Sequence, residues 1–362
     1  MQRFVVVAMS GGVDSSVTAA LLQQQGHQLL GVTLKTFCYG DTAAGPRSCC
    51  GLEGVNAARA VCAQLQIPHT VIDVSARFTA AVIDEFVNEY AAGRTPNPCI
   101  QCNASVKIPD LLVHAQRLGA DAVATGHYAR IEAGADGWAL RRGVDPDKDQ
   151  SYFLSALPVA VLDRLLLPVG GMTKARLREL ARELGLPNAE RIESQEICFV
   201  PDDDYVALLR RRLPADHPAL LPGPLVDRSG AEVGRHCGFA GFTIGQRRGL
   251  GGGNRERLYV IGVDAARRTV VVGPREALTA RGLIADRLNW LGPRPAAGAE
   301  VRVQMRHRSR AVRARVSASP GCGDERLELA LLEPASAVTP GQTAAIYADD
   351  RLLGAGRIVV VT

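Results

Sequence analysis

No apolar run in this 362-residue chain approaches the roughly 18 residues that a membrane-spanning helix needs. Residues 1–9 carry one Arg and a short apolar run. They stop at Ser10-Gly11-Gly12 without the small-residue cleavage pattern of a secretory leader. A first β-strand and a cytoplasmic setting are therefore expected. There is also no internal repeat and no low-complexity tail. A charged fraction of 22% with 47% hydrophobic residues is wrong for global disorder. Lysine is scarce: 38 of the 42 basic residues are Arg, as a GC-rich genome would produce. The nine cysteines are odd in number and widely spread, which does not suit a secreted disulfide scaffold.

The chain length suits two or three domains at about 100–200 residues each. Residues 1–205 hold 18 Lys and Arg against 23 Asp and Glu, a net −5. Residues 206–362 hold 24 against 14, a net +10. A basic C-terminal part on an acidic N-terminal part suggests a polyanionic partner held by the former, although drift toward Arg would leave the same trace.

The texture changes along the chain as well. Residues 4–9, 28–34, 69–74 and 121–125 read as buried strands, and 13–25, 52–66, 76–92 and 105–118 as helices. Such alternation predicts a parallel sheet covered by helices on both faces, with ligands at the carboxyl ends of the strands. A hairpin is expected at 129–132 with 138–142, and a helix at 173–185. Beyond about residue 222, short alternating runs rich in Gly and Pro predict a β-barrel or sandwich.

The first strand leads through Ser10-Gly11-Gly12-Val13-Asp14-Ser15 into a helix. Adjacent glycines expose backbone N–H groups, the helix start adds a positive dipole end, and Ser10 and Ser15 add hydroxyls. This is an anion cradle sized for phosphates. It lacks the lysine and the spacing of GxxxxGK[ST]. Asp14 is wrong for a phosphate contact but suits Mg²⁺ or a helix cap.

In Thr95-Pro96-Asn97-Pro98-Cys99-Ile100-Gln101-Cys102-Asn103, the two prolines predict a shaped, non-helical loop that presents two thiols and enters a helix near Ser105. A helix start and Lys107 would favour thiolate. Far along the chain, Ile197-Cys198-Phe199-Val200 holds a thiol among apolar neighbours, which also fits an inert buried group. Cys38, Cys49, Cys50 and Cys62 read as core rather than as metal ligands.

The phosphate loop matches the SGGxDS signature of the PP-loop ATP pyrophosphatases. Taken with TPNPCxxCN, Thr125-Gly126-His127-Tyr128-Ala129-Arg130, Lys148-Asp149-Gln150-Ser151-Tyr152-Phe153-Leu154, the segment 194–200 and Gly245-Gln246-Arg247-Arg248-Gly249-Leu250, the chain resembles the tRNA-specific 2-thiouridylase family. The resemblance implies a Rossmann-like PP-loop ATPase domain (1–205), a small β-rich adapter (206–278) and a C-terminal β-barrel that contacts tRNA (279–362). It implies ATP binding by Ala8, Met9, Ser10, Gly11, Gly12, Val13, Asp14, Ser15, Leu34 and Gly126, with Mg²⁺. It gives tRNA contacts to Asn97, Pro98, His127, Lys148, Asp149, Gln150, Arg247, Arg248, Arg306, His307 and Gln342. His307 departs from the Arg-Tyr pair common in relatives.

The implied chemistry is adenylation of the 2-carbonyl of the wobble uridine, followed by sulfur transfer from a persulfide on Cys198, with Cys102 as nucleophile. A separate persulfide carrier protein would supply the sulfur. Cys99 adds a third thiol, so an iron–sulfur cluster on Cys99, Cys102 and Cys198 is an alternative route. A PP-loop amidoligase or synthetase would keep the phosphate loop and need neither Cys102 nor Cys198. A non-catalytic RNA-binding protein with a structural nucleotide is the third reading.

Overall fold

The structure, a computed structural model, describes residues 2–37, 52–134, 136–191, 197–250, 257–317 and 325–362. Cys38, Cys49, Cys50, Cys322 and residues 194–196 of the Cys198 motif lie outside the described residues.

The N-terminal part is built on a parallel sheet ordered His69–Asp73, Gln28–Lys35, Phe4–Ala8, Ala122–Ala124, Leu165–Leu166. The central strand Phe4–Ala8 is covered on both faces, which is why it reads as continuous Val rather than as an alternation. Chain order reverses between Phe4–Ala8 and Ala122–Ala124, so a crevice opens at the carboxyl ends of these two strands. The helix Val13–Gln24 packs closely on the sheet because its buried residues include Ser15, Ser16, Thr18, Ala19 and Ala20, whose side chains are small.

Four strands in the order Tyr259–Asp264, Thr269–Gly273, Gly223–Val226, Glu232–His236 form a second sheet. Six more, Thr279–Trp290, Leu327–Ser336, Val312–Val316, Glu300–Gln304, Thr343–Ala348 and Arg351–Val361, close into a barrel when the last pairs with the first. The hairpin Ala129–Gly134 with Gly137–Arg142 joins that barrel through Arg351 opposite Arg141. Asp350 fixes the junction by accepting from Arg130 and Arg141, each at 2.5 Å. A single apolar cluster runs across this boundary, from Val6, Ile108 and Leu111 to Tyr347, Leu352 and Ala355.

One strand is added and one expectation changes. The strand Thr279–Trp290 was not legible, because register shifts at Ala280/Gly282, Ile284/Ala285 and Asp286/Asn289 break its period-two alternation. The cysteine segment is not a non-helical loop. A short helix, Pro98–Cys102, begins there and continues through a wide turn at Asn103–Lys107 into Ile108–Arg117. The physical reason is capping. Asn97 accepts from Cys99 N (3.2 Å) and Ile100 N (3.3 Å), and proline is well suited to the first helical position.

Candidate active site

The phosphate loop occupies the switch point of the parallel sheet. Met9 is buried and its carbonyl accepts from Thr33 Oγ1 at 2.7 Å, which anchors the start of the loop to the neighbouring strand. Ala8 is half-buried beside it and Val13 is buried, while Ser10 is exposed. Gly12 caps the following helix in an extended conformation without a side-chain bond, so first-turn N–H groups stay available to an anion. Ser15 Oγ donates to Gly12 O (2.9 Å) and meets Ser10 Oγ at 3.3 Å. Gly11 has φ +75°, and a Cβ there would lie 2.2 Å from Gly54 O. No other residue fits.

The strand on the other side of the crevice brings Thr125-Gly126-His127-Tyr128. A Cβ on Gly126 would lie 2.8 Å from the backbone of Asp14 and Ser15, so the two loops touch only because residue 126 is glycine. Tyr128 OH donates to Asp14 Oδ1 at 2.7 Å. His127 Nδ1 bonds Thr125 Oγ1 at 2.7 Å. Burial, with the charge of Lys107 adding to it, drives the His127 imidazole down to about 3, so this ring is neutral at physiological pH. Leu34, near the end of Gln28–Lys35, is half-buried and packs against two of the large apolar clusters.

Three side chains that the sequence did not mark complete this corner. Lys174 Nζ donates to Asp14 Oδ1 at 2.7 Å and lies 5.6 Å from the Tyr128 ring centroid, with the residue only 9% exposed. The ammonium that the loop lacks in sequence is thus supplied from 160 residues away. Asn188 Nδ2 donates to Gly11 O (2.8 Å) and Ser16 Oγ (2.9 Å), and Arg191 donates to Gly11 O at 3.2 Å. These bonds turn the Gly11 carbonyl away from the cradle. Composition makes lysine rare, four against 38 Arg, but does not say which lysine reaches the loop.

The cysteines differ in exposure. Cys99 is exposed, and Cys102 and Cys198 are half-buried. Cys102 and Cys198 both pack on one cluster that contains Phe78, Phe86, Val106 and Phe199. Phe199 fixes the Cys198 turn by edge-on packing against Phe78 (5.7 Å) and Phe86 (5.3 Å), and Val200 N donates to Ile197 O at 2.9 Å. Cys62 is different: it is buried in a helix, and burial raises its thiol to about 11, which marks an inert core group. Among the described residues, no group of three or more His, Cys, Asp or Glu side chains is placed to hold a metal ion.

The residues expected at tRNA divide into two kinds. Arg247 and Arg248 are exposed on a loop braced by Gln246, whose Oε1 accepts from Thr243 N and whose Nε2 donates to Arg248 O, each at 3.0 Å. Pro98 and Asn97 start the cysteine helix, and Lys148 is half-buried. Most of the rest are visibly engaged within the protein, as is Asn97 in its role as helix cap. Asp149 accepts from Arg142, Gly143 N and Ser151 with its side chain 7% exposed, and Gln150 Oε1 accepts from Tyr128 N at 3.0 Å. Arg306 donates to Ala337 O, Thr339 Oγ1 and Ile244 O. His307 stacks on Phe153 at 4.2 Å, and burial lowers its basicity. Gln342 donates to Thr95 O and Pro96 O.

A parallel sheet with an SGGxDS loop at its switch point defines a PP-loop ATP pyrophosphatase. Three family models match in succession: a tRNA methyl transferase HUP domain at residues 3–202, a tRNA methyl transferase PRC-barrel domain at 212–274, and an aminomethyltransferase beta-barrel domain at 280–358. The chain is 48% identical over 362 residues to tRNA-specific 2-thiouridylase MnmA of Geotalea uraniireducens (strain Rf4), covering 99% of this chain and 95% of that protein. It is 46% identical over 363 residues to the protein of the same name in Rhodospirillum centenum (strain ATCC 51521 / SW), covering 98% and 91%. An NMN synthetase from Francisella tularensis overlays with a TM-score of 0.35 and 19% identity, covering 53% of this chain and 66% of that one. The chain belongs to the tRNA-specific 2-thiouridylase (MnmA) family.

Proposed function

We propose that this chain is a tRNA-uridine 2-sulfurtransferase that consumes ATP. The observation that carries the reading is the packing of Cys102 and Cys198, 96 positions apart in sequence, on one apolar cluster that Leu34 also touches. The cysteine helix runs on to Lys107, whose charge acts on His127, and His127 follows the glycine that touches Asp14. A nucleotide α-phosphate on the loop and two thiols would thus serve one everted base.

In this scheme the triphosphate lies on the loop and helix-start N–H groups of Gly11 and of Val13 to Ser15, with Lys174 drawing charge off the leaving pyrophosphate. Asp14 already holds an ammonium, so Mg²⁺ is expected to arrive with ATP and to use Asp14 as a protein contact. The uridine 2-oxygen attacks the α-phosphorus and pyrophosphate departs. The terminal sulfur of a persulfide on Cys198 then attacks C2, and the oxygen leaves with AMP. Cys102 thiolate attacks the Cys198 sulfur. This releases 2-thiouridine and leaves a Cys102–Cys198 disulfide, which an external reductant resets. A persulfide carrier protein reloads Cys198. The scheme needs only the two thiols of Cys102 and Cys198, and no step is routed through an iron–sulfur cluster. Residues 1–205 would act as the catalytic unit, 206–278 as adapter and 279–362 as the tRNA-gripping barrel. The surplus of basic residues after residue 205 supports the last role.

The test uses the purified chain with ATP, unmodified tRNA and a persulfide donor, read by nucleoside mass spectrometry and pyrophosphate release. 2-Thiouridine and tRNA-dependent pyrophosphate are expected together. Pyrophosphate release that needs a small amine and ignores tRNA would favour the amidoligase reading instead.

A further inference from the structure

The segment Thr95-Pro96-Asn97-Pro98 contains two prolines and so has few N–H groups of its own. Its carbonyls must be satisfied from elsewhere or left to water. The barrel satisfies them. Gln342 Nε2 donates to Thr95 O at 2.8 Å and to Pro96 O at 3.2 Å. Both partners are acceptors, so only the amide nitrogen of Gln342 can face them. Thr95 N in turn donates to Pro340 O at 3.0 Å. Between these contacts sits Gly341, at φ +93°, where a Cβ would lie 2.9 Å from Arg94 Cβ and from Thr95 N.

The barrel loop that makes these bonds is itself held firmly. Ile358 N donates to Gln342 O at 2.8 Å, and Gly341 N donates to Ile358 O at 2.9 Å. One residue before Thr95, Arg94 forms a bidentate pair with Glu89 at 2.6 and 2.7 Å. One residue after Pro96, Asn97 caps the helix that carries Cys99 and Cys102. The carbonyls that Gln342 grips therefore set the entry angle of the cysteine helix.

We propose that Gln342, acting from the barrel, is a positioning residue that holds the cysteine helix in its working orientation before any RNA is bound. This differs from the role in RNA contact that the family resemblance gives the same side chain. It rests on the sulfurtransferase reading only for its effect on turnover.

The first experiment needs no turnover. The full chain, without tRNA or ATP, is treated with iodoacetamide, and the alkylation rates of Cys102 and Cys237 are followed by peptide mass spectrometry. Cys237, exposed just after the strand Glu232–His236, serves as the internal reference. Gln342→Glu keeps the shape, removes both donors and sets a carboxylate against two carbonyls. It should change the Cys102 rate about tenfold, roughly the worth of two hydrogen bonds, and leave Cys237 unchanged. Gln342→Ala, which removes the donors without adding charge, should move the Cys102 rate in the same direction and guards against misfolding of the first variant. In the full reaction, kcat for thiolation should fall about tenfold while KM for tRNA stays within about twofold. Cys102 rates equal to those of the parent in both variants, or a raised KM for tRNA with kcat untouched, would overturn the proposal. Loss of thiolation activity in the parent chain would instead count against the functional reading, since the alkylation arm stands without it.

Discussion

The phosphate corner and the sulfur corner of this molecule are built in opposite ways. The first is mostly one strand, one loop and one helix, contiguous from Phe4 to Gln24, with single side chains added from Lys174, Asn188 and Arg191. The second has no contiguous core. Cys102 depends on a cap at Asn97 and on a barrel loop near residue 341, whereas Cys198 hangs on Phe199. An anion cradle needs backbone N–H groups, which a short segment can supply alone. Bringing two thiols together requires parts of the chain that are far apart in sequence, so the sulfur corner is more open to disturbance from a distance.

The sharpest way to break the contrast is to remove one corner and assay the other. Cys102→Ser and Cys198→Ser should each cut 2-thiouridine formation below about 1% of the parent. Both should leave tRNA-dependent pyrophosphate release within about threefold of the parent, because adenylation uses the other corner. If pyrophosphate release collapses together with thiolation, the two corners are one unit and the division is wrong. In the opposite direction, Lys174→Ala removes the ammonium on Asp14 and should lower the rate of pyrophosphate release by about 10²–10³-fold, as expected for a donor aimed at developing charge. tRNA affinity by filter binding should hardly move. A variant that released pyrophosphate at the parental rate would leave Lys174 a purely structural partner of Asp14 and Tyr128.

The next effect concerns the barrel attachment. Glu89 is 4% exposed and is held by Arg94, with Arg357 at 3.4 Å, and Arg357 also makes a bidentate pair with Asp286. Burial alone would raise the Glu89 carboxyl, but the hydrogen bond and charge of Arg94, with the charges of Arg357 and Arg287, bring it below the ordinary value of 4.5. Asp286 is likewise lowered, since the bond and charge of Arg357 outweigh its burial. A carboxyl with a depressed folded-state pKa stabilises above its unfolded value, and that contribution is lost as pH falls through the folded one. The melting temperature should therefore drop as pH falls below about 4.5, more steeply in the parent than in Glu89→Ala. At neutral pH that variant takes a partner from Arg94 and Arg357, which are themselves partly exposed, at a cost of about 1–3 kcal/mol. Parallel melting curves for the two proteins would remove this network from the account.

How much of this could be read in advance follows the same division. The strands at 4–8, 28–35 and 69–73, the helix after Ser10 and the barrel hairpins carry local periodicity and turn residues, and they were legible. The helix at Pro98 was not, because two prolines suggest a loop until Asn97 is recognised as a cap. Lys174 was not, because nothing in Gly171-Met172-Thr173-Lys174 says where its ammonium points. Asp149, Gln150, Arg306 and Gln342 are recognisable by motif as a group. Only the fold shows that their side chains brace other backbone, since bonds across 22, 31 and 247 positions, for Gln150, Arg306 and Gln342, leave no local trace.

Arg247 sharpens the last point, because it is the counter-example. It is exposed, its loop is braced by Gln246 rather than by its own guanidinium, and Gly245 and Gly249 on either side have positive φ of 88° and 81°. The loop thus keeps its shape without Arg247, and the guanidinium is left for a phosphate. Removing it should weaken tRNA binding only modestly. In a plot of log affinity against log salt, the slope should become shallower by about 0.7–0.9, the release of one counterion. Gln342→Ala provides the contrast: a side chain turned inward onto Thr95 and Pro96 should leave the slope unchanged. If Arg247→Ala keeps the parental slope while Gln342→Ala reduces it, the outward and inward roles given to these two residues are reversed.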